Sequence, residues 1–234
     1  MIYEGSNYAH MKNNRSFFIS TSVAWMISTG FGTWFLSSSL RFFMPNGFIA
    51  FAFVGFVGVF IISLVQCRLL EECRFALWFL ATAVAIGIGS ISASTAYFLA
   101  HIPIVDWQSG NLLVDWVLWP AILFFMMAIS GTPGGFLAGL LKKLAIGRGT
   151  IIRWVVVSTG SWALSFGVAG LMIQVINYPD YFKLEVLQHV PRVVKGGIIG
   201  LLVGVIQGGI LGSHLEGLKN IRPNVSLEQT SREA

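Results

Sequence analysis

The sequence predicts an all-α fold: a polytopic membrane helix bundle of six transmembrane helices, built as a three-fold repeat of a helical hairpin. Three observations predict it. Of 234 residues 55% are hydrophobic and only 11% charged, where a soluble domain is about a quarter charged, and the mean hydropathy is +0.75. The apolar residues gather into six runs of the length that crosses about 30 Å of hydrocarbon at about 1.5 Å per residue. Glycine, tryptophan and basic residues then recur at matching places along the runs.

The six runs are Phe17–Leu40, Gly47–Val65, Phe75–Ala100, Ala121–Leu141, Trp154–Ile176 and Val193–Leu211. They divide the chain into a polar N-terminal segment (1–16), a membrane domain (17–213) and a polar tail (214–234). The first run is too long for a signal-peptide core of about 7–15 residues and reads as a retained span. Leu112–Pro120 reads as an interfacial turn before the fourth run, and Asn177–Arg192 carries Phe182, Val186 and Val190 at helical spacing, as an amphipathic helix lying on the outer leaflet or a loop over the bundle.

Orientation follows from the basic residues. Eleven of the 15 Lys and Arg lie on the side of the termini (Lys12, Arg15, Arg68, Arg74, Lys142, Lys143, Arg148, Arg153, Lys219, Arg222 and Arg232), and Arg41, Lys183, Arg192 and Lys195 lie on the other. The positive-inside rule puts both termini in the cytosol. Short basic loops of this kind are topology signals, so no nucleic-acid partner is implied. Trp34, Trp107, Trp116 and Trp119 on the outer side, with Trp78 and Trp154 on the inner, read as belt anchors. Cys67 and Cys73 then share a cytosolic loop, where no disulfide is expected.

The repeat is carried by Gly55, Gly131 and Gly196, each followed eight residues on by Ser63, Gly139 or Gly204 and three further by Gln66, Lys142 or Gln207. In the alternate spans Arg15, Arg74 and Arg153 precede Gly30, Gly89 and Gly167, with Trp25 and Trp162 at matching places. This joint, a Gly-rich helix ending in Gln, a charged turn, then Arg and Trp opening the next helix, resembles that of uncharacterised bacterial, particularly cyanobacterial, membrane proteins whose repeat reads G-x3-G-x2-Q-W-x2-L. Gly204 to Gln207 and Gln66 to Trp78 match it best. Cys67 and Gly208 stand where the family has Trp, and Lys142 replaces Gln in the middle copy. The resemblance allows a thylakoid location and brings no known activity.

Candidate functional positions are few. Gly196, Gly200, Gly204, Gly208 and Gly212 recur every four residues, forming a ridge that another helix can approach closely. The ridge reads as a packing surface, within the fold or toward a membrane-protein partner or second copy. Gln207 needs a hydrogen-bond partner in a neighbouring helix or a ligand. The segment Gly131-Thr-Pro-Gly-Gly135 predicts a kink at Pro133, and Ser90, Ser92, Ser94 and Thr95 read as interhelical hydrogen-bonding groups.

The cores of the six runs contain no Asp, Glu, Lys, Arg or His, Lys195 standing at the outer end of the last run, so proton relays, intramembrane proteolysis and axial ligation have no residues at membrane depth. His101 and the acidic Asp106 and Asp115 fall at the outer rim. The expectation is a non-enzymatic protein without cofactor or metal, embedded in the lipid bilayer and serving packing, assembly or accessory roles in a membrane complex. The alternative is a channel or facilitator for a small neutral or lipid-like solute. His214 and Glu216 near the cytosolic surface are the slender basis for a lipid-acting enzyme.

Overall fold

In the computed structural model six α-helices follow one another: α1 (Tyr3–Ser37), α2 (Gly47–Arg68), α3 (Phe75–Ile104), α4 (Trp119–Ile146), α5 (Ile151–Asn177) and α6 (Arg192–Lys219). The structure describes residues 3–37, 47–70, 73–104, 117–177 and 189–219, among which there is no strand. One helix overlaps each apolar run. The expected turn at Leu112–Pro120, the segment Asn177–Arg192, the tail beyond 219, Trp107, Trp116, Asp106 and Asp115 lie wholly or largely outside the described residues, as does the side chain of His101.

Each helix packs against its chain neighbours, and α6 returns against α1, so the packing order closes on itself. Short joints impose this. Only Gly147–Thr150 separates α4 from α5, too few residues for anything but an antiparallel neighbour. Gly147 ends α4 in a left-handed conformation (φ 74°), its N–H donating to the Lys143 carbonyl at 2.8 Å, as a side-chain-free residue allows. The Arg74 N–H donates to the Ala145 carbonyl at 3.1 Å, tying the start of α3 to the end of α4.

Helices α3 to α6 are each long and apolar enough to cross a membrane, and the described apolar part of α2, Phe53–Arg68, is shorter. Large apolar side chains also point outward, Ile91, Phe125, Ile129, Ile152 and Val156 each being more than 60% exposed. A monomer in water does not present so much apolar surface, and hydrocarbon accepts it. These features suggest a membrane protein.

Two helix crossings are built almost wholly on glycine. A methyl group added to Gly131, Gly135 or Gly139 of α4 would meet the Trp162 carbonyl oxygen at 2.6 Å, the Thr159 Cα at 2.8 Å or the Val155 Cα at 2.6 Å of α5. On α6, a methyl at Gly204 or Gly208 would meet the Ser22 Cα at 2.6 Å or the Phe18 Cα at 3.2 Å of α1, and Gly200 abuts the Trp25 carbonyl. The two crossings correspond residue by residue, with Trp162, Thr159 and Val155 spaced as Trp25, Ser22 and Phe18. In this register Gly131 matches Gly200, one turn from the Gly196 that spacing alone suggested. Gly196 continues the ridge against Thr33, and Gly212 is buried. Gly55 of α2 has open space around it, so among the described residues the crossing occurs twice.

Hydroxyls on the facing stripe of α1 bond back to their own helix, Ser22 to the Phe18 carbonyl (2.8 Å), Thr29 to Trp25 (2.8 Å) and Thr33 to Thr29 (3.0 Å). Their polarity is thereby spent locally, and glycine backbone can lie against them. Thr95 behaves likewise, donating to the Ile91 carbonyl, while Ser90 and Ser94 are exposed. The interhelical role expected for that run is not what these side chains do.

The helix α4 runs through Gly131–Gly135 without a break in its helical assignment. Proline removes the N–H that would bond the Ile129 carbonyl four residues back. The Thr132 hydroxyl donates to that carbonyl at 2.8 Å, so the group Pro133 orphans is satisfied from the next-door side chain. Replacing Thr132 by Val is expected to destabilise the protein by about 1 kcal/mol, and by nearly nothing in a Pro133→Ala background, where the alanine N–H takes over. Equal losses in both backgrounds would show that the hydroxyl does not serve this carbonyl.

Two expectations are overturned here. Cys67 and Cys73 form a disulfide, with Cα atoms 5.5 Å apart, and no free cysteine remains. Six residues span the turn from the end of α2 to the start of α3, and the hairpin brings the two Cβ atoms together whatever the compartment. The bond and the basic character of the joint make opposite demands, since disulfides persist in oxidising compartments and positive loops stay in the cytosol. An impermeant maleimide should therefore label neither cysteine until a reductant is added. Labelling of reduced intact cells would place this joint outside, and labelling only after permeabilisation would place it inside.

The second correction concerns tryptophan. Trp78 and Trp154, expected at the lipid interface, are fully buried. With Phe17, Ala145 and Leu211 they form an apolar plug beside the joints. A belt residue needs lipid on one side, and here the crossings bring protein against every side.

Candidate functional site

Above that plug lies a buried polar layer to which all six helices contribute. Gln66, near the end of α2, accepts at Oε1 a hydrogen bond of 2.9 Å from Nε1 of Trp78 on α3. Lys142, in the last two turns of α4, is 1% exposed. Its Nζ lies 5.0 Å from the Trp78 ring centroid and 5.9 Å from that of Trp162 on α5. The Trp162 ring meets Trp25 of α1 edge-on at 5.9 Å. From α6 the Gln207 Nε2 donates to the Ser165 Oγ at 3.0 Å, and Ser165 donates to the Ser161 carbonyl at 2.8 Å. A second apolar cluster, Ala81, Ala85, Ala138 and Trp162, closes the layer on the far side.

Lys142 was expected in a cytosolic loop, among the basic residues that set orientation. The structure carries α4 past it to Ile146, and a helical side chain slants toward the N-terminus of its own helix, so the amine is drawn inward. Ten basic residues remain on that side against four, and the bias keeps its sign. The reading of an interior without ionisable groups no longer holds. One signal was available in the sequence: spacing alone aligned Lys142 with Gln66 and Gln207, and all three are buried, although in the register of the two crossings Lys142 matches Leu211.

Magnitudes decide what this amine needs. Two cation–π contacts contribute about 0.5–2 kcal/mol each, whereas burying an ammonium carries an effective penalty of several kcal/mol. No ion pair to Lys142 occurs among the described residues, and it is the sole charged side chain in their buried set. Among the described residues Nε1 of Trp25 and Trp162 and the buried hydroxyls of Thr21, Ser28, Ser63, Ser158, Thr159 and Ser161 have no protein partner.

The expected site residues divide as follows. Gln207 finds its partner in a neighbouring helix. Gly131, Gly135, Gly196, Gly200, Gly204 and Gly208 lie in or beside the two crossings, and Pro133 is exposed on the outer side of α4. Lys142, Trp78, Trp162, Gln66 and Ser161 were not among the expected site residues.

Near the joints, the His214 ring packs edge-on to Trp154 at 4.7 Å, and Trp154 donates through Nε1 to the Arg148 carbonyl at 2.7 Å. An open apolar groove of about 660 Å³ runs between α5 and α6 past Val157, Leu164, Val205 and Ser213 to His214. No group of three or more metal-ligating side chains occurs among the described residues.

Fold and site together define a class: among the described residues, a helical bundle with four helices apolar enough to cross a membrane and a polar interior around one buried lysine. No protein-family model, curated protein or solved structure matches the chain.

Proposed function

We propose that the chain is a six-span integral membrane protein, arranged as three helical hairpins with both termini in the cytosol of a bacterial inner membrane, and that it serves as a channel or facilitator whose buried polar layer is the station for a small solute. One observation carries this reading: a lysine of α4 is buried between two indoles, and α1, α2 and α5 bury hydrogen-bonding groups without protein partners, where a purely structural core would be apolar or fully paired. The solute is polar, because the layer is.

The α6 ridge gives no support to an assembly role. Gly200, Gly204 and Gly208 lie against α1, and a ridge covered from within the chain is not available to a partner. In its place the ridge and its α4 counterpart fix the walls of the layer. The enzyme reading rests on His214 and Glu216 alone and gains nothing from a ring packed on Trp154.

Vesicles containing the purified protein test this. Osmotic swelling with a panel of small polar solutes should exceed that of protein-free vesicles for at least one solute, and should fall when Lys142 is replaced by Gln. No excess permeability to any solute, together with stoichiometric co-purification of another membrane protein, would return the chain to the assembly class.

A further inference from the structure

The chemistry of the unspent groups identifies the kind of solute. An ammonium and an indole N–H only donate hydrogen bonds, and a hydroxyl can do either. In the layer the Gln66 Oε1 already accepts from Trp78, and the Ser165 Oγ already accepts from Gln207. Among the groups that remain are the Lys142 amine, the indole N–H of Trp162, which is 2% exposed, and the fully buried hydroxyls of Ser158 and Ser161. None of these is an obligate acceptor. A cation would meet the Lys142 amine here, and although the hydroxyls can accept, an anion is the solute toward which the amine, the indole N–H and both hydroxyls can all donate at once.

We propose that this layer binds a small, singly charged anion, with Lys142 as its counter-charge and the Trp162 indole N–H and the Ser158 and Ser161 hydroxyls as hydrogen-bond donors. The inference rests on the reading of the layer as a solute station and narrows it. The helical register supports the grouping: Ser158 stands one turn before Trp162 on the buried stripe of α5, Ser161 adjoins it, and the Lys142 Nζ lies 5.9 Å from the Trp162 ring. Single charge follows from the single buried cation, because a second negative charge would be left without compensation. Trp78 supplies a ring face to the amine while its own N–H is held by Gln66, so it positions Lys142 and leaves the anion to Trp162.

The shared chemistry, one negative charge and lone pairs pointing outward, belongs both to a halide and to a short carboxylate. Bromide and formate are the probes. The purified full chain in detergent is titrated with sodium bromide or sodium formate against sodium sulfate at constant ionic strength, and the thermal unfolding midpoint is followed. A saturable rise is expected with at least one monoanion and none with sulfate. A rise with bromide alone assigns a halide, and a rise with formate alone assigns a carboxylate. Lys142→Gln, which keeps a long polar side chain and removes the amine, should raise the apparent Kd at least 30-fold. Trp162→Phe keeps the ring and removes one donor, and should raise it about tenfold; it also serves as the test if the Lys142 variant does not fold. Unchanged affinity in Trp162→Phe and in a folded Lys142→Gln, or no saturable response to either monoanion in the parent protein, overturns the proposal. Vesicle swelling separates the two levels: neutral-solute permeability without a monoanion response sinks the anion assignment alone, while saturable monoanion binding without permeability sinks the conduit reading alone.

Discussion

Replacing Gly204 by Leu is expected to lower stability by at least about 3 kcal/mol, the top of the usual overpacking range. The first added carbon would lie 2.6 Å from the Ser22 Cα and 3.0 Å from its carbonyl oxygen. These are backbone atoms, which cannot rotate away as a side chain can, so α1 and α6 must separate and give up contacts along the whole crossing. For a chain of this size such a loss lowers the unfolding midpoint by roughly 6–12 °C. Gly139→Leu in the matching crossing should do the same, since its Cβ would meet the Val155 Cα at 2.6 Å. Gly55 supplies the control: it has open space, and Gly55→Ala should be neutral or stabilising by up to about 1 kcal/mol. If Gly55→Leu proved as damaging as Gly204→Leu, the two glycine crossings would not be the joints that hold the bundle.

The second large effect is expected at the Gln66–Trp78 bond. Gln66→Leu leaves a fully buried indole N–H without an acceptor, a loss of about 1–3 kcal/mol. Trp78→Phe made in that background should recover part of it, because the stranded donor disappears. The cycle of single and double variants isolates the pairwise term from the area that Phe fails to fill, and a coupling of about 1 kcal/mol or more is expected. Additive losses, with coupling near zero, would mean that the two side chains do not act on one another. Since Trp78 also faces Lys142 at 5.0 Å, both single variants should in addition weaken any response that depends on that amine.

The fold was legible for a plain physical reason. Hydrocarbon forces every backbone group into internal hydrogen bonds, so a long apolar run has few alternatives to a helix, and all six runs lie within or largely overlap observed helices. Helix ends were less legible. Polar residues such as Lys142, Lys143 and Glu216 continue their helices beyond the apolar runs, and α4 stops at Gly147, a glycine with positive φ, and not where hydropathy falls.

The candidate site was legible only in outline. Gln207 and the glycine ridge stood out by composition, whereas Trp78, Trp154 and Lys142 were read as surface residues from their nearness to charged turns. Each was placed by a rule about the membrane interface, and each is claimed by the bundle because a neighbouring helix covers it. The disulfide shows the same limit, since compartment rules say where such a bond survives but not which two atoms a turn brings together.

By itself the sequence determined the number and kind of elements, their order, and the close glycine packing of α6, all of which follow from local composition and periodicity. Only the tertiary structure decided that the ridge meets α1, that Gly131 corresponds to Gly200, that Cys67 reaches Cys73, and that Lys142 turns inward between two indoles. Those outcomes depend on which helices become neighbours and at what register, and register is fixed by backbone contacts between residues as far apart in the chain as Ser22 and Gly204. No local pattern encodes such a distance, and so the site that those contacts create became visible only once the bundle was closed.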